Sequence, residues 1–377
     1  MTKTIGIIGG GIVGSTAAYY LTKHNKNVTV FDEGIGQATS ASAGIISPWL
    51  SQRRNKEWYF LAKEGAKFYS QLIDDLSQTN ETKEVYQKTG TLLYKKNEAL
   101  LAKLNKLAED RKLEAPEIGD IKVLSKSDIT KLFPEIRLDD SALFITGGAK
   151  IDGAKLVEML LNETKKASGT IIKTKITEIS YQNEQWHLKE AENTHIFDQL
   201  ILAGGAWIGD LLRPLDLEVD IRPQKGQLIE IEVPFSTNEL PVVMPVGETD
   251  IIPFDQSKIL IGATHENEQG FDLTPDNSLL QSLKQDATDL ISSIKEASIT
   301  NTRVGTRAYT SDFSPFFGEV ADLPQFLVAS GLGSSGLTTG AIIGKTLADW
   351  TLEQDTNFES YRHLPNQYIY PKKVTIS

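Results

Sequence analysis

Apolar and polar positions along this chain fall into two regimes. In the first, short runs of apolar residues alternate with segments of helical spacing. Ile5, Ile7 and Ile8 form a run of the kind that a strand buried on both faces shows. Behind a glycine turn, Ile12, Ala17, Ala18, Tyr20 and Leu21 supply the apolar face of a helix that fades by Lys26, and Val28 to Phe31 is a second buried strand. From Trp58 to Leu76, positions 58, 61, 65, 68, 69, 72, 73 and 76 fit helical spacing, with lysines and acids between. The pattern then predicts a strand at Thr91–Tyr94, a helix over about 97–111, and a short helix started by Ser127 that ends before Pro134. Gly147-Gly148-Ala149-Lys150-Ile151-Asp152 opens a helix running through Met159 to Lys166, followed by strands at Thr170–Ile172 and Lys175–Tyr181. Phe197 to Leu202 repeats the opening theme, a buried strand running into Ala203-Gly204-Gly205-Ala206-Trp207.

The second regime spans about 213–319. Strands at Gln227–Val233, Val242–Val246, Ile251–Phe254 and Ile259–Gly262 are separated by proline-bounded turns, and one helix over about 277–292 interrupts them. This reads as a mostly antiparallel sheet. The chain then returns to the first regime at Phe326-Leu327-Val328-Ala329, a glycine-rich turn over 330–337, and a helix through Leu347 to Leu352. The expected fold class is α/β plus α+β, a Rossmann-like domain with an inserted, mostly antiparallel substrate domain. Residues 1–85, 145–212 and 320–365 fall to the first domain and 86–144 and 213–319 to the second.

The first turn carries chemistry. Gly9-x-Gly11-x-x-Gly14 stands between a strand and a helix, and the next strand ends in Asp32-Glu33. The first glycine permits the tight turn, the second lets backbone approach a pyrophosphate, and the third lets helix and strand pack closely. A diphosphate then meets the unpaired N–H groups of the helix N-terminus, and Asp32 is placed to accept from ribose hydroxyls. The small residues of the following loop, within 34–56, permit close backbone approach to a ligand.

Composition narrows the partners. At 377 residues the chain exceeds one ordinary core, and 40% apolar with 24% charged residues suits a soluble globular protein. No run reaches the length of a membrane span, and the first strand starts too early for a signal or transit peptide, so cytoplasm is the expected location. With no cysteine, disulfides, thiolate metal sites and cysteine nucleophiles are excluded. Five scattered histidines, none in paired spacing, give a metal site little support. A net charge of −11 argues against a nucleic-acid partner.

The glycine segments near residues 9, 204 and 333 exceed what one nicotinamide site needs. With Thr39–Gly44, Pro223-Gln224-Lys225-Gly226-Gln227, Ile261-Gly262-Ala263-Thr264 and Gly305-Thr306-Arg307 they occur in an order that resembles the FAD-dependent amino-acid and amine oxidoreductases, a family including glycine oxidase, sarcosine oxidase and D-amino-acid dehydrogenase. The resemblance covers nearly the whole chain. It implies that Gly9, Gly11, Ile12, Val13 and Gly14 meet the pyrophosphate of FAD, with Asp32 and Glu33 at the ribose. Ser40, Ala41, Ser42, Ala43 and Gly44 would touch phosphates and the flavin edge, Ile176 the adenine, and Ala203, Gly204 and Gly205 the cofactor's length. Gly333, Ser334, Ser335, Gly336 and Leu337 would bring N–H groups to the flavin pyrimidine. The absence of cysteine, and of histidine between 25 and 186, implies dissociable rather than covalent FAD.

For the substrate, the resemblance points to Arg307, whose planar guanidinium can hold a carboxylate bidentately. Arg303, on the same strand face, is the competing candidate. His265, Trp49, Ile45 and Tyr309 are further pocket candidates; a structural role fits Trp49 and Tyr309 equally well and His265 somewhat better. The implied reaction is oxidative deamination of a small amino acid or secondary amine, with oxygen or a quinone-type acceptor reoxidising the flavin. A flavin dehydrogenase of a 2-hydroxy acid or polyol phosphate, and an oxidase that trims a tRNA wobble uridine, are the alternatives. Two departures concern the substrate: some relatives place an aromatic where this chain has Asp250-Ile251-Ile252, and glycine oxidase has a second basic residue where this chain has Ser334-Ser335.

Overall fold

The computed structural model describes residues 3–51, 53 and 55–372; residues 1 and 2 of the expected first domain, and 52 and 54 of the expected 34–56 loop, lie outside it. Thr4–Ile8 sits inside a six-stranded sheet, between Asn27–Phe31 and Gln199–Leu202. Thr170–Ile172 and Phe326–Ser330 extend it on either side, all parallel. The apolar runs of these strands follow from burial on both faces. Ile5, Ile7, Val28 and Ile201 pack towards the helices Ile12–Lys23, Gly153–Lys166 and Gly336–Thr351. Ile8, Phe31, Leu200 and Leu202 pack the other way, onto Trp186, Leu188 and Phe197 of a small antiparallel sheet. The neighbours of Thr4–Ile8 continue into opposite halves of the chain, so a crevice opens at its C-terminal end. Ligands of open α/β sheets bind at such a reversal.

The second sheet has eight strands, in the spatial order Ile299–Tyr309, Arg222–Glu232, Lys258–Gly262, Asp250–Phe254, Val242–Met244, Thr91–Tyr94, Ala142–Ile145 and Ile121–Leu124. All pairs are antiparallel except Val242–Met244 with Thr91–Tyr94. Its core is Ile229, Ile231, Val243, Ile251, Ile259 and Ile261 under the helix Asn277–Leu290. The fold is thus a Rossmann-like domain joined to a second, mostly antiparallel sheet. The two are laced together where Thr306 N–H donates to the Gly36 carbonyl at 3.0 Å.

Several local expectations need correction. Phe316–Glu319, allotted by its sequence to the second domain, is the antiparallel edge of the first sheet. Ser125, not Ser127, caps the helix Lys126–Leu132, its hydroxyl accepting from Asp128 N–H at 3.3 Å. Ala149–Ile151 is a strand, and the helix starts one turn later at Gly153 because Asp152 accepts from Ala154 and Lys155 N–H groups. The strand expected from Lys175 begins at Glu178.

Candidate active site

A cavity of about 830 Å³ lies between the two sheets, at the C-terminal ends of Thr4–Ile8 and Gln199–Leu202. Its size falls within the range of small-molecule sites. Gly9 has φ +100°, and a Cβ there would strike the Ala203 carbonyl. A Cβ on Gly14 would strike the Gly9 carbonyl, whereas one on Gly11 would meet only Thr39 Oγ1, at 3.3 Å. Gly9 is therefore packed against the end of Gln199–Leu202 and Gly14 against Gly9, while Gly11 leaves its side open to the cavity. Thr39 Oγ1 accepts from Ile12 N–H at 3.1 Å, and the other first-turn N–H groups have no intrahelical acceptor.

Asp32 orders the far end of this cradle. It accepts from Gly10 N–H, from Gly34 N–H at 2.6 Å and from Gln37 Nε2 at 2.7 Å. Asp32, Glu33 and Ile176 all line the cavity. Ser330 Oγ donates to the Gly205 carbonyl at 2.8 Å, and Trp58 Nε1 donates to Ser335 Oγ at 3.0 Å, fixing the other two glycine segments. The hydroxyls of Ser47 and Thr306 are buried in the cavity wall without a hydrogen-bond partner among the described residues. A dinucleotide fits these features: a glycine cradle, unpaired N–H groups, a carboxylate and orphaned hydroxyls along one channel.

The second sheet brings Arg307 to the same cavity. Its strand pairs Arg307 with Gln224 and Gly305 with Gly226. The guanidinium folds back over Gly226, where an added Cβ would fall 2.5 Å from Nη1 and 2.7 Å from Nη2. Nη1 donates to Gln224 Oε1 at 3.1 Å and to the Thr264 carbonyl at 2.9 Å. Among the described residues no acceptor holds Nη2 or Nε. Burial lowers its pKa, with Tyr309 and Glu266 opposing. A fixed cation with spare donors in a fork is a receptor for a carboxylate. Arg303 is spent elsewhere: it pairs with Glu230 through Nε at 2.6 Å, and neither residue faces the cavity.

Ile45 and His265 line the cavity, as do Ala41, Ser42, Ala43 and Gly44. Burial and then Arg307 pull the His265 imidazole below its ordinary pKa, against Glu248, whose carboxylate lies 3.5 Å away. Four expected residues stand behind the wall. Trp49 is core, its carbonyl taken by Arg111. Tyr309 is buried against Gly333, and Ser40 donates to Gln37 Oε1 at 2.8 Å. Gly14 acts through packing alone.

Other lining residues carried no sequence motif. Arg53 lies over the Trp58 ring at 4.7 Å and donates to Ser334 Oγ at 3.4 Å, so a guanidinium reaches the serine pair from another element. Asp250 also faces the cavity, between Met244 and Gly262. Burial pushes its pKa up to about 7. A carboxyl on an apolar, alternating strand reads as a surface residue until the sheet order is known.

A family described as FAD dependent oxidoreductase matches residues 4–350. YurR, an uncharacterised oxidoreductase of Bacillus subtilis, is 36% identical over 360 residues, covering 95% of this chain and 97% of the relative. Glycine oxidase of Pseudomonas putida is 27% identical over 325 residues, covering 85% and 86%. The crystal structure of iminodiacetate oxidase from Chelativorans sp. BNC1 superposes with a TM-score of 0.91 at 31% identity, over 95% of this chain and 98% of that one.

Proposed function

Because the chain belongs to the FAD-dependent oxidoreductase family and is of the glycine oxidase and iminodiacetate oxidase type, we propose that it oxidises the C–N bond of a small amino acid or secondary amine. The observation that carries this reading is Arg307, a buried guanidinium with unused donors facing the cavity that the glycine segments line. FAD, held without a covalent link, supplies the two-electron oxidation when bound. Gly9, Gly11 and Val13 would hold its diphosphate and Asp32 its adenosine ribose, and the N–H groups of Gly333–Leu337 would offer hydrogen bonds to its ring. Arg307 fixes the substrate carboxylate and thereby the direction of its Cα–H bond. Ile45, Ala43 and Met244 exclude water around that bond. The imine product leaves to hydrolyse in solution, and oxygen or a quinone-type compound would serve as the final electron acceptor.

The test is to purify the protein, record its flavin absorbance, and add glycine, sarcosine, iminodiacetate and D-amino acids without oxygen. Bleaching by one of these amines is expected. A colourless protein that takes up no FAD, or a flavin that none of them reduces, refutes the reading.

A further inference from the structure

We propose that Asp250 is the amine-side anchor of the substrate pocket: its carboxylate pairs with the substrate's ammonium while Arg307 holds the carboxylate, so that the site selects zwitterions over plain carboxylates. The proton that the amine must lose before oxidation passes to the same group; the N–H bond breaks, an O–H bond forms on Asp250, and the nitrogen keeps its lone pair. The inference rests on the amino-acid reading above.

The pleat of the second sheet makes the argument. Arg303, Leu228, Gly262 and Asp250 stand in one row across four strands, and Gly226 and Arg307 belong to the same face. The Arg307 guanidinium lies over Gly226. From Gly226 to Asp250 is two strands across and two residues along, roughly 12 Å between Cα atoms from strand spacing and rise. Gly226 and Gly262 both line the cavity between them; the Arg307 guanidinium covers the first, and Leu228 packs beside the second. A cation and an acid are thus held apart on one wall of the cavity, at a separation that an amino acid and its two ion pairs can span.

Among the described residues nothing donates to the Asp250 carboxyl, and its neighbours are Met244 on one side and Gly262 on the other, with Ala43, Ile45 and Ala263 closing the apolar wall. The charged and titratable groups that share this end of the cavity are Arg307 from the long strand, Arg53 from the segment before Lys56–Ser77, and Glu248 and His265 from the turns flanking Asp250 and Gly262. Glu248 points to solvent and meets His265, and Arg307 and Arg53 are bound to Gln224, Thr264 and Ser334. An acid kept in such surroundings without a counter-ion is a mark of a functional site. Its raised pKa, about 7, matches a group that must take and release a proton near neutrality.

The holoenzyme and its Asp250→Asn and Arg307→Ala variants are titrated with sarcosine, read by anaerobic bleaching, and with acetate, read by perturbation of the flavin bands, at about pH 6 and about pH 8. Asp250→Asn should raise half-saturating sarcosine by about tenfold or more at the higher pH. It should also abolish the weakening of sarcosine binding as pH falls, and leave acetate binding unchanged or tighter. Arg307→Ala should weaken both ligands. Equal losses of sarcosine and acetate on Asp250→Asn, or an unaltered sarcosine profile, overturn the proposal. If no amine bleaches the wild type, the amino-acid reading fails by itself. Acetate then still tests Asp250, because its binding should tighten through neutrality as that carboxylate is protonated, and only in the wild type; a pH-independent acetate affinity overturns the assignment.

Discussion

Gly226→Ala separates the placement of Arg307 from the stability of the fold. The new methyl carbon would lie 2.5 Å from Nη1, 2.6 Å from Cζ and 2.7 Å from Nη2 of Arg307, well inside van der Waals contact. What it strikes is the far end of a flexible side chain, so the backbone need not move. Gly226 does not require a positive φ, and replacing glycine by alanine at a compatible position stabilises by about 0.4–1 kcal/mol through the unfolded chain. The fold should lose about 1 kcal/mol or less, the cost of moving Nη1 off Gln224 and the Thr264 carbonyl less that gain.

Substrate binding has no such escape. A hydrogen bond to a charged group contributes about 1.5–3 kcal/mol, so a misplaced fork that loses one or two of them forfeits about 2–4 kcal/mol. At 1.4 kcal/mol per decade this is about a 30-fold to 1,000-fold rise in the half-saturating concentration of a carboxylate amine. The assay is anaerobic bleaching across a substrate series, alongside thermal unfolding and the flavin-to-protein absorbance ratio. Unaltered half-saturation would falsify the claim that the guanidinium over Gly226 is the carboxylate receptor. Loss of flavin or a large fall in melting temperature would show that the space over Gly226 supports the fold.

Other substitutions divide the same way. Arg307→Ala should raise half-saturation by at least about 100-fold with FAD retained, whereas Arg303→Ala should leave substrate affinity alone and cost about 3 kcal/mol in chemical denaturation, because Glu230 would be left unpaired. Gly11→Ala should preserve the fold and empty the protein of flavin, since its Cβ meets only Thr39 Oγ1; Gly14→Ala, aimed at the Gly9 carbonyl, should unfold it, and equal flavin content in Gly11→Ala and wild type would refute the cradle. Asp250 has a folded-state pKa raised from 3.8 to about 7, so its contribution to stability is complete below the lower value and is lost as pH rises through the upper one. Asp250→Asn should therefore raise the melting temperature above neutral pH and converge with wild type near pH 4, with a ceiling of about 4 kcal/mol that contact with the cavity reduces. A pH-independent difference between the two proteins would contradict the shift.

The sequence was most legible where one strand, one turn and one helix act together. Gly9, Gly11, Gly14 and Asp32 are local, and their jobs follow from backbone geometry within a single unit. The two regimes of apolar spacing also foretold two sheets, because burial on both faces and alternation leave different patterns. Strand membership was harder to read. Phe316–Glu319 has the composition of the second sheet's strands, yet it joins the first, because pairing partners are set by tertiary contacts that short apolar runs do not encode.

The catalytic end of the cavity depends on such non-local pairings throughout. Arg303 and Arg307 are indistinguishable by parity on their strand; only the position of Glu230 and Gly226 across the ladder spends one arginine and frees the other. Trp49 and Tyr309 are large, apolar and close in sequence to cavity residues, but Trp49 is buried in the core from a one-turn helix, and Tyr309, on the same strand face as Arg307, is covered by Gly333. Arg53 and Asp250, both charged residues of the cavity lining, come from segments with no motif. Each becomes visible only when Ser334 or Gly262 is brought beside it from a distant part of the chain. Backbone-read cofactor sites therefore leave a signature in local sequence, while substrate recognition on this fold is written in side chains that the second sheet assembles, and it is there that relatives with the same cradle can diverge.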